Sequence, residues 1–119
     1  MRFTAEEIEL AHQLKAAKLD WTPQVGHFVW DGEALIEQSS PFHDRVFFIL
    51  DLKHFLRRSG TMQRLAESMV WLPTWSQLRE CLRRQGVSDE QVDQYLRRTD
   101  AIRQGTEREQ LYRLLLTAL

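Results

Sequence analysis

The sequence feature that most constrains the fold is a capping box that occurs four times, each time before an apolar pattern of helical spacing. In a capping box a Ser or Thr precedes a Glu or Gln by three residues, and each side chain accepts a hydrogen bond from the other residue's backbone N–H. The boxes begin at Thr4, Thr74, Ser88 and Thr106. They predict one helix over about residues 4–18 and three helices after residue 73.

The stretch between the first two boxes has the pattern of a small β-sheet. Asp31-Gly32 separates two β-prone runs, and Gly tolerates the positive φ of a primed turn, so a two-residue hairpin is predicted there. Five consecutive apolar residues, Val46 to Leu50, favour a central strand covered on both faces. A further short strand is predicted before Pro73, which cannot donate a ladder hydrogen bond.

This order of elements lacks a regular alternation of strands and helices and therefore predicts the α+β class. We expect a small antiparallel sheet of three or four strands packed with about five helices. An all-helical fold is the alternative, but it ignores the Asp-Gly turn. A length of 119 residues fits a single domain. In it the N-terminal helix and sheet occupy about residues 1–73 and a helical part occupies about 74–119.

The charge pattern argues against a nucleic-acid or anionic-membrane partner. Residues 1–73 carry eight basic and ten acidic side chains, and residues 74–119 carry eight basic and seven acidic ones. Neither half has the basic excess that phosphate neutralisation requires. A single cysteine, Cys81, excludes an internal disulfide, and no apolar run approaches the length of a membrane span. We therefore expect a cytoplasmic protein without a membrane segment.

The tripeptide Leu-Arg-Arg occurs three times, beginning at Leu56, Leu82 and Leu96. The spacings of 26 and 14 residues are unequal, so it is not a structural repeat. Each copy falls near the end of a predicted helix, where arginine stabilises the helix dipole by about 0.3–1 kcal/mol. Helix termination is therefore the favoured interpretation. The alternative is a nucleic-acid-binding surface made by the pairs Arg57/Arg58, Arg83/Arg84 and Arg97/Arg98.

The C-terminal segment LYRLLLTAL is apolar around about 200° of a helix, whereas covering one core needs a stripe of about 100°. Two packing surfaces are therefore predicted: the chain's own core and a partner, most simply a second copy in a homodimer. The alternative is a helix buried on both sides within one chain. The candidate interface consists of Leu111, Tyr112, Leu115, Leu116 and Leu119.

A second hypothesis places a ligand pocket around Trp75 and the loop residues His43, Asp44 and Arg45, which concentrate acidic, basic and aromatic groups. It would make the protein a small-molecule binder or an enzyme. The histidines lack the spacing of metal ligands, and no cofactor motif is present, so neither metal nor cofactor is predicted. The favoured function from sequence is a non-catalytic protein–protein interaction module or complex subunit.

Overall fold

The structure is a computed structural model that describes residues 2–37 and 40–119. The fold is α+β, as predicted, with a helical C-terminal part. The described residues contain seven helices, more than the five expected, and one three-stranded antiparallel sheet. The elements are α1 Ala5–Ala16, β1 Phe28–Trp30, β2 Val46–Phe48, α2 Leu52–Ser59, α3 Met62–Ser68, β3 Val70–Leu72, α4 Trp75–Arg84, α5 Asp89–Arg98, α6 Ala101–Gln104 and α7 Glu107–Ala118.

The internal contacts divide the chain into two compact units, which are described separately. The first unit contains the sheet, α2 and α3, and spans described residues within 2–4 and 20–72. The second unit contains Ala5–Leu19 and Pro73–Leu119. The predicted grouping of the N-terminal helix with the sheet differs from this division, in which Ala5–Leu19 falls in the second unit. The apolar face of α1 packs along α7 instead, so α1 belongs with the C-terminal helices.

In the first unit the strand order is β2-β1-β3, with Phe28 opposite both Phe48 and Leu72. The short strand before Pro73 is confirmed as β3. The prediction of a central strand at residues 46–50 was wrong, because β1 is central and β2 lies at an edge. Both faces of β2 are covered, since the successive residues Val46 and Phe47 are both buried. This burial explains why the strand consists of apolar residues.

The predicted two-residue hairpin at Asp31-Gly32 does not form, and β1 pairs instead with β2 across a loop of 15 residues. The fully buried Asp31 carboxylate explains the difference. It accepts hydrogen bonds from the backbone N–H of Leu35 at 3.0 Å and of Ile36 at 2.8 Å. These donors are thus satisfied by a side chain and not by a second strand. Gly32 has no positive φ; a Cβ there would overlap the ring of Trp30.

The core of the first unit lies between one sheet face and the pair of helices α2 and α3. Asp51 caps α2 by accepting from the backbone N–H of Lys53 at 2.9 Å. The buried members of this cluster are Val29, Ile36, Phe47, Ile49, Phe55, Leu65 and Met69.

In the second unit α7 packs along α1 and α4 and also contacts α5 and α6. Two predicted capping boxes are confirmed, at Thr74 and Ser88, where both reciprocal hydrogen bonds are present. The predicted box at Thr106 does not form, because Thr106 makes no side-chain cap. The box at Thr4 stays a prediction, and the Glu7 carboxylate pairs with Arg108. No helix among the described residues is long and apolar enough to cross a membrane.

Candidate functional site

The C-terminal helix is covered by its own unit over most of the predicted interface. Leu111, Tyr112 and Leu115 have no exposed surface, and the Tyr112 hydroxyl donates to the backbone carbonyl of Pro73 at 2.9 Å. Burial raises the pKa of that tyrosine well above its usual value. These three residues are core residues, which corrects their assignment to a partner interface. Leu116 is half-buried, and Leu119 is 41% exposed.

The residues of the predicted ligand pocket make structural contacts within their own units. The His43 ring lies 2.6 Å from the backbone carbonyl of Phe3, and Asp44 accepts from the Trp30 indole N–H at 3.4 Å. Arg45 forms an ion pair with the buried Asp31 at 3.1 Å. These three loop residues thus hold the connection between β1 and β2 in place.

Trp75, the fourth residue of the predicted pocket, is the first residue of α4 in the second unit. Its ring is 41% exposed, and the Arg79 guanidinium carbon lies 4.9 Å from the ring centroid. This is a cation–π contact between the first and fifth residues of one helix, a common way to cover an exposed aromatic ring.

The arginine pairs terminate helices, as predicted: each lies in the last turn of α2, α4 or α5. Four of the six arginines also form ion pairs with carboxylates, so the positive charge that would attract a phosphate backbone is largely neutralised locally. The pairs and their N–O distances are Arg58–Glu37 at 3.2 Å, Arg83–Asp89 at 3.0 Å, Arg84–Glu80 at 2.8 Å and Arg97–Asp93 at 3.1 Å.

The second unit has an open groove between α5 and the C-terminal half of α7, with a volume of about 410 Å³. We call it the α5–α7 groove. Four half-buried residues supply its apolar part: Val87, Tyr95, Leu114 and Ala118. Leu114 and Ala118 are four residues apart and therefore form one row on α7. This row is left partly uncovered, whereas the neighbouring row of Leu111 and Leu115 is fully buried.

An exposed row on α5 carries opposite charges at its two ends, and its members Gln94 and Arg98 line the α5–α7 groove. Glu90, Gln94 and Arg98 follow one another at intervals of four residues and form an exposed row along α5. The Arg98 guanidinium carbon lies 5.5 Å from the centroid of the Tyr95 ring. Within the described residues neither Glu90 nor Arg98 forms an ion pair, and at 1.5 Å per residue they lie about 12 Å apart, too far to pair with each other.

The sequence pattern indicated α7, but not α5, as part of a candidate surface. The wide apolar arc of α7 predicted an interface at leucines that are in fact buried. The sequence of α5 has no comparable excess of apolar residues. A detectable signal was the spacing of Gln91, Gln94, Tyr95 and Arg98, which places a polar and aromatic stripe beside the helix's buried Val92 and Leu96.

The described residues contain no group of three or more His, Cys, Asp or Glu side chains that could hold a metal ion. Cys81 is buried, and burial raises the pKa of its thiol. No protein-family profile, curated protein or solved structure matches the chain.

Proposed function

We propose that the protein is a non-catalytic interaction module that forms a homodimer through the α5–α7 groove. The observation that carries the proposal is the uncovered row of Leu114 and Ala118 beside the half-buried Val87 and Tyr95. Covering such apolar surface is favourable by about 25 cal/mol per Å². The partner surface thus comprises the outer row of α7, with α5 beside it, and not the buried row first predicted.

The charge row on α5 favours a second copy of this chain as the occupant. In a two-fold interface, residue i of one copy faces residue j of the other, and j faces i. Two α5 helices that meet in antiparallel orientation bring Glu90 of each copy opposite Arg98 of the other. The row is therefore complementary to itself, which gives specificity to an otherwise apolar contact.

Helices of 10 and 12 residues offer a face that is small beside the roughly 800 Å² per partner of a standard interface. We therefore expect a micromolar dissociation constant. Sedimentation velocity across the micromolar range should show a concentration-dependent shift from monomer to dimer. Leu114→Glu should abolish the shift, because it places a charge on the apolar floor of the groove.

Ile102→Glu is the matched control for this substitution. Ile102 is an apolar residue on α6 that is 67% exposed and does not line the groove. The control should dimerise like the wild type, with circular dichroism showing that both variants are folded. A wild-type chain that stays monomeric at all concentrations, or equal loss of the dimer in both variants, would contradict the proposal.

A charge exchange tests the antiparallel arrangement. Arg98→Glu and Glu90→Arg should each weaken the dimer on the order of tenfold, because each places like charges opposite one another. The double variant should regain most of the wild-type affinity. Arg97→Glu reverses a charge in the same last turn but outside the groove, and so controls for the effect on the helix dipole. Failure of the double variant to recover would contradict the antiparallel arrangement.

A further inference from the structure

The first unit contains a cluster of three half-buried aromatic rings, which belong to Trp21, His27 and Trp71. The two indole rings are nearly parallel, with an interplanar angle of 5° and centroids 6.0 Å apart. The His27 ring stacks on Trp71 with centroids 4.9 Å apart, and its centroid lies 6.4 Å from that of the Trp21 ring. Trp21 also packs against the core of this unit. The three rings thus join the segment before β1 to strand β3.

Trp21 and His27 differ in how firmly the backbone holds them. The backbone N–H of His27 donates to the carbonyl of Gln24 at 3.2 Å, and its own carbonyl accepts from the N–H of Ile49 at 2.9 Å. Trp21 lies in a segment, residues 20–25, that contains no helix or strand. Among the described residues, Trp21 is the one member of this segment whose side chain forms a hydrogen bond. A change at the contact between the two rings therefore displaces Trp21 more easily than His27.

The hydrogen bond between the two side chains fixes the protonation state of His27. Trp21 Nε1 and His27 Nδ1 are 2.9 Å apart. An indole N–H can only donate, so Nδ1 accepts with its lone pair, and the imidazole is neutral with its proton on Nε2. A protonated imidazole carries an N–H on both nitrogens, so protonation sets two donors against each other. The hydrogen bond therefore exists only while His27 is neutral.

The surroundings of His27 do not offset this conflict. Burial alone lowers the pKa of its ring, and no charged side chain of the described residues contributes to the shift. The charged residues nearest in sequence to the neighbours of the ring are Asp20, Asp51 and Lys53, all of them exposed, and β3 contributes none. A cation over an indole face is attracted to it, so a protonated ring keeps a favourable contact with Trp71. Protonation thus opposes the contact with the first indole ring and not the contact with the second.

We propose that the contact between Trp21 and His27 is an acid-sensitive switch, in which protonation of His27 releases the Trp21 side chain from the ring cluster while the sheet stays folded. At neutral pH the Trp21 ring covers part of Trp71. At a pH below the midpoint of the His27 titration, the indole N–H has lost its acceptor, and Trp21 moves into solvent. The change is local, because the pairing of β1 with β2 and β3 does not involve Trp21.

The test is a titration of the full chain from about pH 7.5 to about pH 5, followed by ¹H–¹⁵N correlation spectra. The Trp21 indole N–H signal should shift with the same midpoint as the ring nitrogens of His27, and its exchange with water should accelerate. The amide signals of the three strands should keep their dispersion through this midpoint. A Trp21 signal that does not follow His27 would overturn the proposal. Loss of the strand signals at the same midpoint would also overturn it, because the change would then be global unfolding.

Two substitutions separate the hydrogen bond from the burial of the His27 ring. Trp21→Phe keeps an aromatic ring but removes the N–H, so protonation no longer breaks a bond, and the proton affinity of His27 should rise about fivefold. Trp71→Phe is the matched control, since it also reduces a ring stacked on His27, but the Trp71 indole N–H forms no hydrogen bond among the described residues. Its effect should be clearly smaller. Equal increases in the two variants would assign the effect to burial and overturn the proposal.

Replacing the histidine itself completes the test. His27→Gln should abolish the titration of the Trp21 signal, because a glutamine side chain offers an acceptor oxygen and does not take up a proton in this pH range. His54→Gln is the control, since His54 is a half-buried histidine of the same unit whose ring contacts Phe55. A Trp21 titration that persists in His27→Gln, or that disappears in His54→Gln, would contradict the proposed switch.

Discussion

The carboxylate of Glu7 and the guanidinium of Arg108 form a two-pronged ion pair between α1 and α7, across 101 positions of sequence. Glu7 is 3% exposed, and the side chain of Arg108 is 20% exposed. Hydrogen bonding to Glu7 raises the pKa of Arg108, consistent with a guanidinium held in its charged form. The pair joins the two helices whose apolar faces pack together, so its removal tests the packing of the second unit.

We expect Glu7→Ala to lower the free energy of unfolding by about 3 kcal/mol, because it leaves Arg108 largely buried without its carboxylate. Urea unfolding monitored by circular dichroism measures the change. Glu9→Ala, an exposed glutamate on the same helix, should change stability by less than about 0.5 kcal/mol. Equal losses in the two variants would show that the ion pair contributes nothing beyond helix propensity.

Asp31→Ala should destabilise the first unit by about 3–5 kcal/mol. The substitution leaves the backbone N–H groups of Leu35 and Ile36 without their acceptor, and it removes the buried partner of Arg45. Thermal unfolding should show the loss. Asp44→Ala is the control in the same loop, since that carboxylate makes a longer, exposed contact with Trp30. A wild-type melting curve for Asp31→Ala would contradict the role assigned to this residue.

The stability of the protein should fall as the pH drops below about 6.5 because of His27. Burial lowers the pKa of His27, whose Nδ1 accepts from the Trp21 indole N–H at 2.9 Å, and whose ring stacks on Trp71 with centroids 4.9 Å apart. The unfolded chain therefore takes up a proton at higher pH than the folded chain. Stability is full above the unfolded pKa and decreases as the pH falls toward the lowered folded pKa.

Two measurements check this pH dependence. An NMR titration of the His27 ring should place its midpoint below 6.5, and urea unfolding of His27→Gln should show a shallower loss of stability between neutral and mildly acidic pH. A midpoint above 6.5 would reverse the expected sign.

The Ser88 cap, which forms, should contribute more to stability than the predicted Thr106 cap, which does not form. Ser88→Ala should cost about 1 kcal/mol, because it removes a side chain that accepts from the backbone N–H of Gln91 at 3.2 Å. Thr106→Ala should cost clearly less, since Thr106 makes no side-chain cap in the structure. Chemical denaturation of both variants compares them directly, and an equal cost would contradict the difference between the two helix starts.

Local signals in the sequence predicted the α+β class, the short strand before Pro73 and the helix starts at Thr74 and Ser88. Each of these depends on residues only a few positions apart. The ion pair of Glu7 was not predicted, because its partner, Arg108, lies 101 residues away. The hairpin prediction was wrong for a related reason. Arg45 stabilises the buried Asp31 by an ion pair, and the residues next to Asp31 in the sequence give no sign of this partner.

The candidate surface was harder to predict than the fold. A wide apolar arc on α7 shows that several neighbours cover it, but not whether those neighbours belong to the same chain. The structure assigns Leu111 and Leu115 to the core and leaves Leu114 and Ala118 partly open.

The packing of α1 on α7 has a consequence for the order of events during biosynthesis. The ribosome completes α1 about 90 residues before it begins α7, and residues 20–72, the larger part of the first unit, are translated in between. An amphipathic segment of 12 residues is marginal as an isolated helix in water. The nascent α1 must therefore remain without α7, and accessible to chaperones, until α7 has been translated.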